Sequence, residues 1–138
     1  YGLPQALDAA RKSREVYLVE GYMDVIGLWQ VGVRNAVACC GTALGAEHLG
    51  RLERLVNRVF LLFDGDEAGF RAAARCFPVA INSPLQVDAV FLPSGEDPDS
   101  IALREGERTG QLLQSLPRKQ LLDLFVDAAL RKYNVTHP

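Results

Sequence analysis

Hydrophobic positions along the chain form short apolar runs that alternate with helix-spaced patterns. Four runs have the character of strands: residues 16–20, 36–40, 59–63 and 86–92. Each is followed by a pattern that predicts a helix: residues 22–31, 46–56, 67–77 and a helix that Pro98 opens. The first residues resemble the interior of one more helix, and prolines predict a break at 78–84. The pattern therefore predicts an α/β fold.

Strands that alternate with helices are joined by right-handed crossovers, so we expect a mainly parallel four-stranded sheet flanked by helices. The carboxyl ends of parallel strands share one edge, where α/β folds bind ligands. For acids at these ends to meet, the third strand should lie between the first and the fourth. Residues 118–133 carry one apolar stripe and predict a C-terminal amphipathic helix, whose packing partner the sequence leaves open.

Composition fits one globular domain: 138 residues, 49% of them apolar and 23% charged. No apolar run approaches the roughly 18 residues of a membrane span, and no signal-peptide pattern is present, so we expect a soluble, cytoplasmic protein without a membrane partner. The net charge is −2, with 17 acids and 15 basic residues. Eight acids lie in three short segments, so the rest of the chain has an excess of six positive charges.

The three acidic segments, residues 20–24, 64–67 and 96–99, each follow a strand-like run. They should therefore converge at one edge of the sheet. Two carboxylates ~4 Å apart repel by ~4 kcal/mol at an effective dielectric near 20, so such a cluster requires cations or protons. Oxygen-rich clusters suit Mg²⁺ or Mn²⁺. The arrangement predicts a metal site.

Placement ranks the acids in three groups. Glu20, Asp64 and Asp66 stand directly at strand ends and are the first candidates for metal ligands. The second group is Asp24, Asp97 and Asp99, which also fit an ordinary role at helix starts, Asp97 as an N-cap and the other two as first-turn acids. Alone, Asp64-Gly65-Asp66 fits a surface turn equally well. Glu67 and Glu96 are interpreted as solvated neighbours.

Cysteines and histidines do not predict a zinc site. Cys39, Cys40 and Cys76 form no C-x-x-C pair and are interpreted as buried thiols in a reducing compartment. His48, expected on a helix surface, and His137 are too few and too far apart.

Several motifs in order resemble the Toprim domain of bacterial DnaG-type DNA primases, over nearly the whole chain. They are Val19-Glu20-Gly21-Tyr22-Met23-Asp24, Gly41-Thr42, Phe63-Asp64-Gly65-Asp66 with Ala68-Gly69, Leu92-Pro93, and Gly95-Glu96-Asp97-Pro98-Asp99-Ser100. The chain departs from the family pattern at Glu67, where a basic or small residue is usual, and at Gly45, where Ser or Thr is frequent.

The resemblance implies a nucleotidyltransferase, a DNA-directed RNA polymerase that makes short RNA primers for replication by two-metal catalysis. Its catalytic acids would be Glu20, Asp24, Asp64, Asp66, Asp97 and Asp99, of which Glu20, Asp64 and Asp66 would bind two Mg²⁺ or Mn²⁺ ions. Residues 1–116 would form the Rossmann-like Toprim catalytic domain, and residues 117–138 a C-terminal helical extension.

The same resemblance implies partners: single-stranded DNA template, nucleoside triphosphates, an RNA–DNA hybrid, and a replicative helicase contacted through regions outside this chain. Zinc is expected only in another domain of a longer primase. We therefore expect the isolated chain to be inactive, and the full enzyme to act at the bacterial nucleoid.

Two alternatives stay open on sequence grounds. One is another Toprim enzyme of the topoisomerase or nuclease type, although its motif after Glu20 would differ. The other is a non-enzymatic, Mg²⁺-binding receiver-like domain. Such a domain needs a lysine at the end of a late strand, whereas the chain has only Lys12, Lys119 and Lys132.

Overall fold

A five-stranded sheet with helices on both faces forms the centre of the computed structural model, which describes residues 1–133. His137 and the end of the expected extension lie outside the described residues. The elements in chain order are α1 (Leu3–Ser13), β1 (Glu15–Val19), α2 (Tyr22–Gln30), β2 (Ala36–Ala38), α3 (Ala46–Leu52), β3 (Arg58–Phe63), α4 (Glu67–Ala80), β4 (Gln86–Phe91), α5 (Pro98–Glu105), a 3-10 turn (Gly106–Arg108), α6 (Thr109–Ser115), β5 (Arg118–Gln120) and α7 (Leu121–Lys132).

The strand order is β2-β1-β3-β4-β5. Strands β1 to β4 are parallel, with Leu18 beside Leu61 and Phe63 beside Phe91. The expectation that the third strand lies between the first and the fourth is therefore confirmed. The four carboxyl ends share one edge of the sheet, and we call the loops there, with the acids they carry, the acidic edge.

Alternating side chains of β3 explain why its apolar run is unbroken. Leu61 and Phe63 join a core formed with α1, α3, α4 and α7, whereas Phe60 and Leu62 join a second core formed with α2, α5 and α6. A strand directs successive side chains to opposite faces, so a strand covered on both sides must be apolar at every position.

The C-terminal region differs from its sequence-based interpretation. Residues 118–120 form the fifth strand, β5, which pairs antiparallel with β4, and α7 begins only at Leu121. The three residues of β5 are all exposed, so no alternation of polar and apolar side chains marks them as a strand. Helix α7 buries Leu121 and Leu124 in the core beside α4, which answers the question of its packing partner.

Two helix ends were also predicted wrongly. Helix α4 continues through Pro78 to Ala80, where the prolines predicted a break, because Ala73, Ala74 and Ala80 pack into the core and favour the helix. Helix α3 ends at Leu52, four residues earlier than its apolar pattern suggested. In the described part of the chain, no helix has the length and apolar character needed to cross a membrane.

Candidate active site

The turn that carries Asp64 and Asp66 is pressed against the loop that follows β4. A Cβ built on Gly65 would overlap the carbonyl oxygen of Leu92 and lie 3.3 Å from the backbone nitrogen of Ser94. Only glycine permits this approach of one backbone to another. The contact brings the ends of β3 and β4, and the acids that follow them, side by side.

Asp66 is the N-cap of α4. Its Oδ1 accepts a hydrogen bond from the backbone N–H of Gly69 at 2.7 Å. This bond satisfies one of the free N–H groups at the helix start. The side chain is therefore fixed in orientation, and its second oxygen is left for another ligand.

Asp64 lies exposed at the acidic edge, in the field of two other carboxylates. Partial burial raises the pKa of Asp64, and the negative charges of Asp66 and Asp97 raise it further. Asp64 therefore interacts electrostatically with one acid of its own turn and with one acid from the loop after β4.

Asp97 caps α5, as the alternative interpretation of this residue predicted. Its Oδ1 accepts a hydrogen bond from the N–H of Ser100 at 2.7 Å, and the Ser100 hydroxyl accepts one from the N–H of Asp97 at 3.0 Å. The neighbouring Glu96 pairs with Arg104 and accepts a hydrogen bond from the Ser100 hydroxyl. Glu96 is therefore paired, and its side chain is only 19% exposed, so the interpretation of this residue as a solvated neighbour is wrong.

Asp24 and Asp99 meet where α2 crosses α5. A Cβ on Gly27 would overlap the Asp99 carboxylate and lie 3.2 Å from the Asp99 Cα, so the two helices touch at this glycine. The Asp24 carboxylate accepts a hydrogen bond from the Gly21 N–H at 3.3 Å. Burial raises the pKa of Asp24, and the charges of Asp97 and Asp99 add to the increase.

The side chain of Glu20 faces a different part of the structure from the aspartates. It is exposed and lines a half-open cavity of about 320 Å³ together with Cys39, Thr42, Arg75 and Cys76. Its charge contributes to the raised pKa values of Cys39 and Cys76, for which burial is the main cause. Charge interactions therefore link the aspartates in two overlapping groups, one around Asp64 and one around Asp24, whereas Glu20 lies beside the thiols.

Within residues 1–133, no group of three His, Cys, Asp or Glu side chains is arranged to hold a metal ion. The donor chemistry nevertheless fits a divalent cation. In the described part of the chain, no aspartate forms a salt bridge, so the charges of Asp64, Asp66 and Asp97 are not neutralised by a side-chain cation. Carboxylate oxygens in mutual repulsion are ligands that Mg²⁺ prefers.

Two interpretations of single residues need correction. Cys40 is exposed and has a positive φ of 52°, so the expectation that all three cysteines are buried is wrong for it; Cys39 and Cys76 are half-buried. His48 is half-buried rather than fully exposed on the helix surface, and its Nδ1 accepts a hydrogen bond from the Gly45 N–H at 2.9 Å, at the start of α3.

Glu67 has contacts that the sequence pattern did not predict. Its carboxylate lies 3.7 Å from a guanidinium nitrogen of Arg71 and 3.4 Å from one of Arg131 on α7. The first pair could have been found in the sequence as an acid and a base four residues apart on one helix. The second depends on the packing of α7 against α4, which the sequence left open.

Comparisons with known proteins agree on one family. The family model described as Toprim-like matches residues 17–102. The DNA primase of Pseudomonas aeruginosa is 49% identical over 110 residues, which are 78% of this chain and 17% of that protein. The chain therefore spans about a sixth of that relative's length.

Solved structures give the same answer. A crystal structure of a DNA primase domain from Pseudomonas aeruginosa covers 96% of this chain with a TM-score of 0.81 and 41% identity, and the match spans 42% of that chain. A structure of the DnaG primase catalytic domain bound to single-stranded DNA covers 96% of this chain and 43% of its own, with a TM-score of 0.78 and 32% identity.

Proposed function

Since the chain belongs to the Toprim-like family, as the Toprim domain of a bacterial DnaG-type primase, we propose that it is the catalytic domain of an enzyme that makes short RNA primers on single-stranded DNA. The relatives named above are primases, which favours this function over a topoisomerase, a nuclease or a receiver-like domain.

One observation carries the proposal for this chain itself. Three aspartates from the loops after two adjacent parallel strands interact at the acidic edge. The negative charges of Asp66 and Asp97 raise the pKa of Asp64. This edge is where α/β folds bind ligands, and uncompensated carboxylates are suited to binding metal ions and, through them, phosphates.

Toprim primase domains are generally metal-dependent. We propose that Glu20, Asp64 and Asp66 bind two Mg²⁺ or Mn²⁺ ions, and that Asp24, Asp97 and Asp99 complete the site. When bound, such ions lower the pKa of an attacking hydroxyl and neutralise charge on the transferred phosphate. Joint binding by these ligands requires the Glu20 carboxylate to turn from the cavity towards the aspartates.

The chain's own part in this reaction is to hold carboxylates in place. The N-cap bond fixes Asp66, the contact of Gly65 with Leu92 fixes the turn, and the capping box fixes Asp97. Preorganised ligands need no rearrangement when charge develops on the phosphate. No covalent intermediate with the protein is required.

The proposed function also implies substrates for this domain and further regions of a longer enzyme. Nucleoside triphosphates and a DNA template would meet at the acidic edge and yield an RNA–DNA hybrid, in the bacterial cytoplasm at the nucleoid. Residues 1–116 would form the catalytic domain, and residues 117–138 its C-terminal extension. Zinc binding and contact with a replicative helicase would be functions of other regions of a longer primase, and we therefore expect no primer synthesis by this chain alone.

Binding of Mn²⁺ to the chain tests the metal site without an activity assay. Substoichiometric Mn²⁺ should broaden the amide resonances of residues 64–66 and 97 before others, because paramagnetic relaxation falls steeply with distance. The double variant Asp64→Ala/Asp66→Asn should lose this selective broadening, whereas Asp8→Asn, an exposed acid on α1, should keep it. Equal broadening throughout the chain would exclude a site at this edge.

Activity provides the second test. In the longer primase that this proposal implies, Asp64→Ala should abolish primer synthesis on single-stranded DNA, whereas Asp8→Asn should leave it near the parent rate. Full activity of the Asp64→Ala enzyme would contradict the catalytic assignment even if the chain binds Mn²⁺.

A further inference from the structure

A group of cations lies beside the acidic edge, on the face of the sheet that α4 and α7 cover. It comprises Arg71 of α4, Lys119 of β5 and Arg131 of α7, with Glu67 between the two arginines. We call these four residues, with the ring of Phe70, the α4–α7 surface. Three positive charges face one negative charge there.

Glu67 holds two arginines but can neutralise only one. The three side chains are 59% to 72% exposed, with Arg71 at 3.7 Å and Arg131 at 3.4 Å from the Glu67 carboxylate. Exposed ion pairs contribute little to stability. The fold therefore depends little on these pairs, and the surplus guanidinium charge is available to another anion.

Lys119 is held in place without being neutralised. Its Nζ lies 5.3 Å from the ring centroid of Phe70 and 5.8 Å from that of Phe91, and the two rings are stacked 4.1 Å apart. No acid of the described residues forms a salt bridge with Lys119. A cation–π contact orients the ammonium group but leaves its full charge for an anion.

The α4–α7 surface is continuous with the acidic edge. Glu67 directly follows Asp66, and the N–H of Phe70 donates to the Asp66 carbonyl oxygen at 3.0 Å, in the first turn of α4. Phe91 ends β4, one strand from the end of β3. A polymer that reaches Asp66 can therefore also touch these cations.

We propose that the α4–α7 surface binds the phosphate backbone of the single-stranded DNA template as it passes the acidic edge. The inference rests on the proposed function, because that reaction requires a single strand before any RNA exists. The acidic edge repels a polyanion, so phosphates beside it need nearby cations that carboxylates have not neutralised. Such cations beside partly exposed aromatic rings are typical of surfaces that bind single strands.

Binding of a fluorescent 12-nucleotide DNA strand to the 138-residue chain, measured with EDTA present, tests this proposal separately from metal binding and catalysis. The triple variant Arg71→Gln/Lys119→Gln/Arg131→Gln should bind at least tenfold more weakly than the parent. The slope of log affinity against log salt should fall by about 2, since each phosphate contact with a single strand contributes roughly 0.7. Melting temperatures of the two proteins should agree within a few degrees.

Two further proteins serve as controls. Arg108→Gln removes an exposed arginine, also paired with a glutamate, from the opposite face of the sheet, and should keep the parent affinity within twofold. Arg71→Lys/Arg131→Lys preserves both charges and should preserve the salt slope. This variant still tests the role of charge if the triple variant folds poorly.

Several outcomes would overturn the proposal. They are equal loss of affinity in the triple variant and in Arg108→Gln, an unchanged salt slope, or no binding of the strand by the parent chain. Tighter binding of an RNA strand of the same sequence would contradict the assignment to template. Failure of Mn²⁺ binding with intact strand binding would instead count against the proposed catalytic site.

Discussion

Gly65 lies in contact with the carbonyl oxygen of Leu92, and the space between them is too small for a Cβ atom. Gly65 does not have a positive φ, so the requirement for glycine comes from this contact and not from backbone strain. Gly65→Ala should therefore force the two loops apart and lower the free energy of unfolding by about 1–3 kcal/mol, as overpacking typically does. Urea unfolding measures the change.

Gly50→Ala is the matched control for that substitution. Gly50 lies within α3, and a Cβ there meets no atom within 4 Å. Alanine in a helix interior is favoured over glycine by about 0.5–1 kcal/mol, so this variant should be as stable as the parent or more stable. Equal effects of the two substitutions would contradict the role of the Leu92 contact.

Two substitutions of Asp66 should separate its role as a helix cap from its proposed role as a metal ligand. Asp66→Asn retains an oxygen that accepts the Gly69 N–H, so its unfolding free energy should stay close to that of the parent, while Mg²⁺ should no longer raise its melting temperature. Asp66→Ala loses both functions and should also lose about 0.5–2 kcal/mol of stability. Thermal melting with and without Mg²⁺ distinguishes the two variants. Stabilisation of Asp66→Asn by Mg²⁺, equal to that of the parent, would remove Asp66 from the ligands.

Gly27 should also tolerate a side chain poorly, because the Asp99 carboxylate would have to move and the Asp99 Cα lies 3.2 Å from the position of an added Cβ. Gly27→Ala should displace the start of α5 and lower the free energy of unfolding by about 1–3 kcal/mol in urea. Gly110→Ala in α6 is the comparison, since its Cβ would make an ordinary contact 3.8 Å from Val33. Comparable losses in both variants would show that the α2–α5 crossing is not the sensitive point.

Asp24 should make the protein less stable as the pH rises above its ordinary carboxyl range. Because burial raises the pKa of Asp24 in the folded state, the native protein binds a proton at a pH where the unfolded chain has released it. The stabilising contribution is thus complete below the unfolded pKa of 3.8 and is lost as the pH rises through the folded pKa. Asp64 acts in the same direction.

Urea unfolding from pH 3.5 to 7 measures this linkage. Asp24→Asn, which can still accept the Gly21 N–H, should flatten the profile and be more stable than the parent at pH 7. Asp8→Asn should leave the shape of the profile unchanged. A steeper profile in Asp24→Asn would mean that the carboxylate of Asp24 stabilises the folded state, contrary to the expected direction.

The three thiols should differ in reactivity towards an aromatic disulfide reagent at pH 8. Cys40 is exposed and should react first. Burial raises the pKa of Cys76 to about 11, so only about one thiol in a thousand is ionised at pH 8. Cys39, whose pKa burial also raises, should react slowly as well. Stopped-flow absorbance should resolve one fast thiol and two slow ones, and denaturant should make all three fast.

The parallel core of the fold could be predicted from sequence because its signals are local. The apolar runs of β1, β3 and β4 and the acids behind them are consecutive in the chain, and the rule for parallel strands gave their order. β5 could not be predicted, since its three exposed residues become a strand only by pairing with β4. Pro78 misled for a related reason: the packing of α4 outweighs the local preference.

The candidate site divides in the same way. We expected Asp64, Asp66 and Asp97 to lie near one another, and in the structure the charges of the other two raise the pKa of Asp64. The direction of the Glu20 side chain and the pairing of Glu67 with Arg131 depend on rotamers and on helix packing, which no sequence period encodes. Metal binding by Glu20, Asp64 and Asp66, and the catalytic roles of the other three acids, remain predictions.

β5 also has a consequence for the solution behaviour of the protein. Without its three residues, β4 would be the outermost strand, with a free row of N–H and C=O groups open to strands of other molecules. Arg118 and Lys119 now occupy that border, and charged side chains discourage such pairing. Removing β5 and the residues after it would therefore be expected to cause aggregation, even though every acid of the candidate site would be retained.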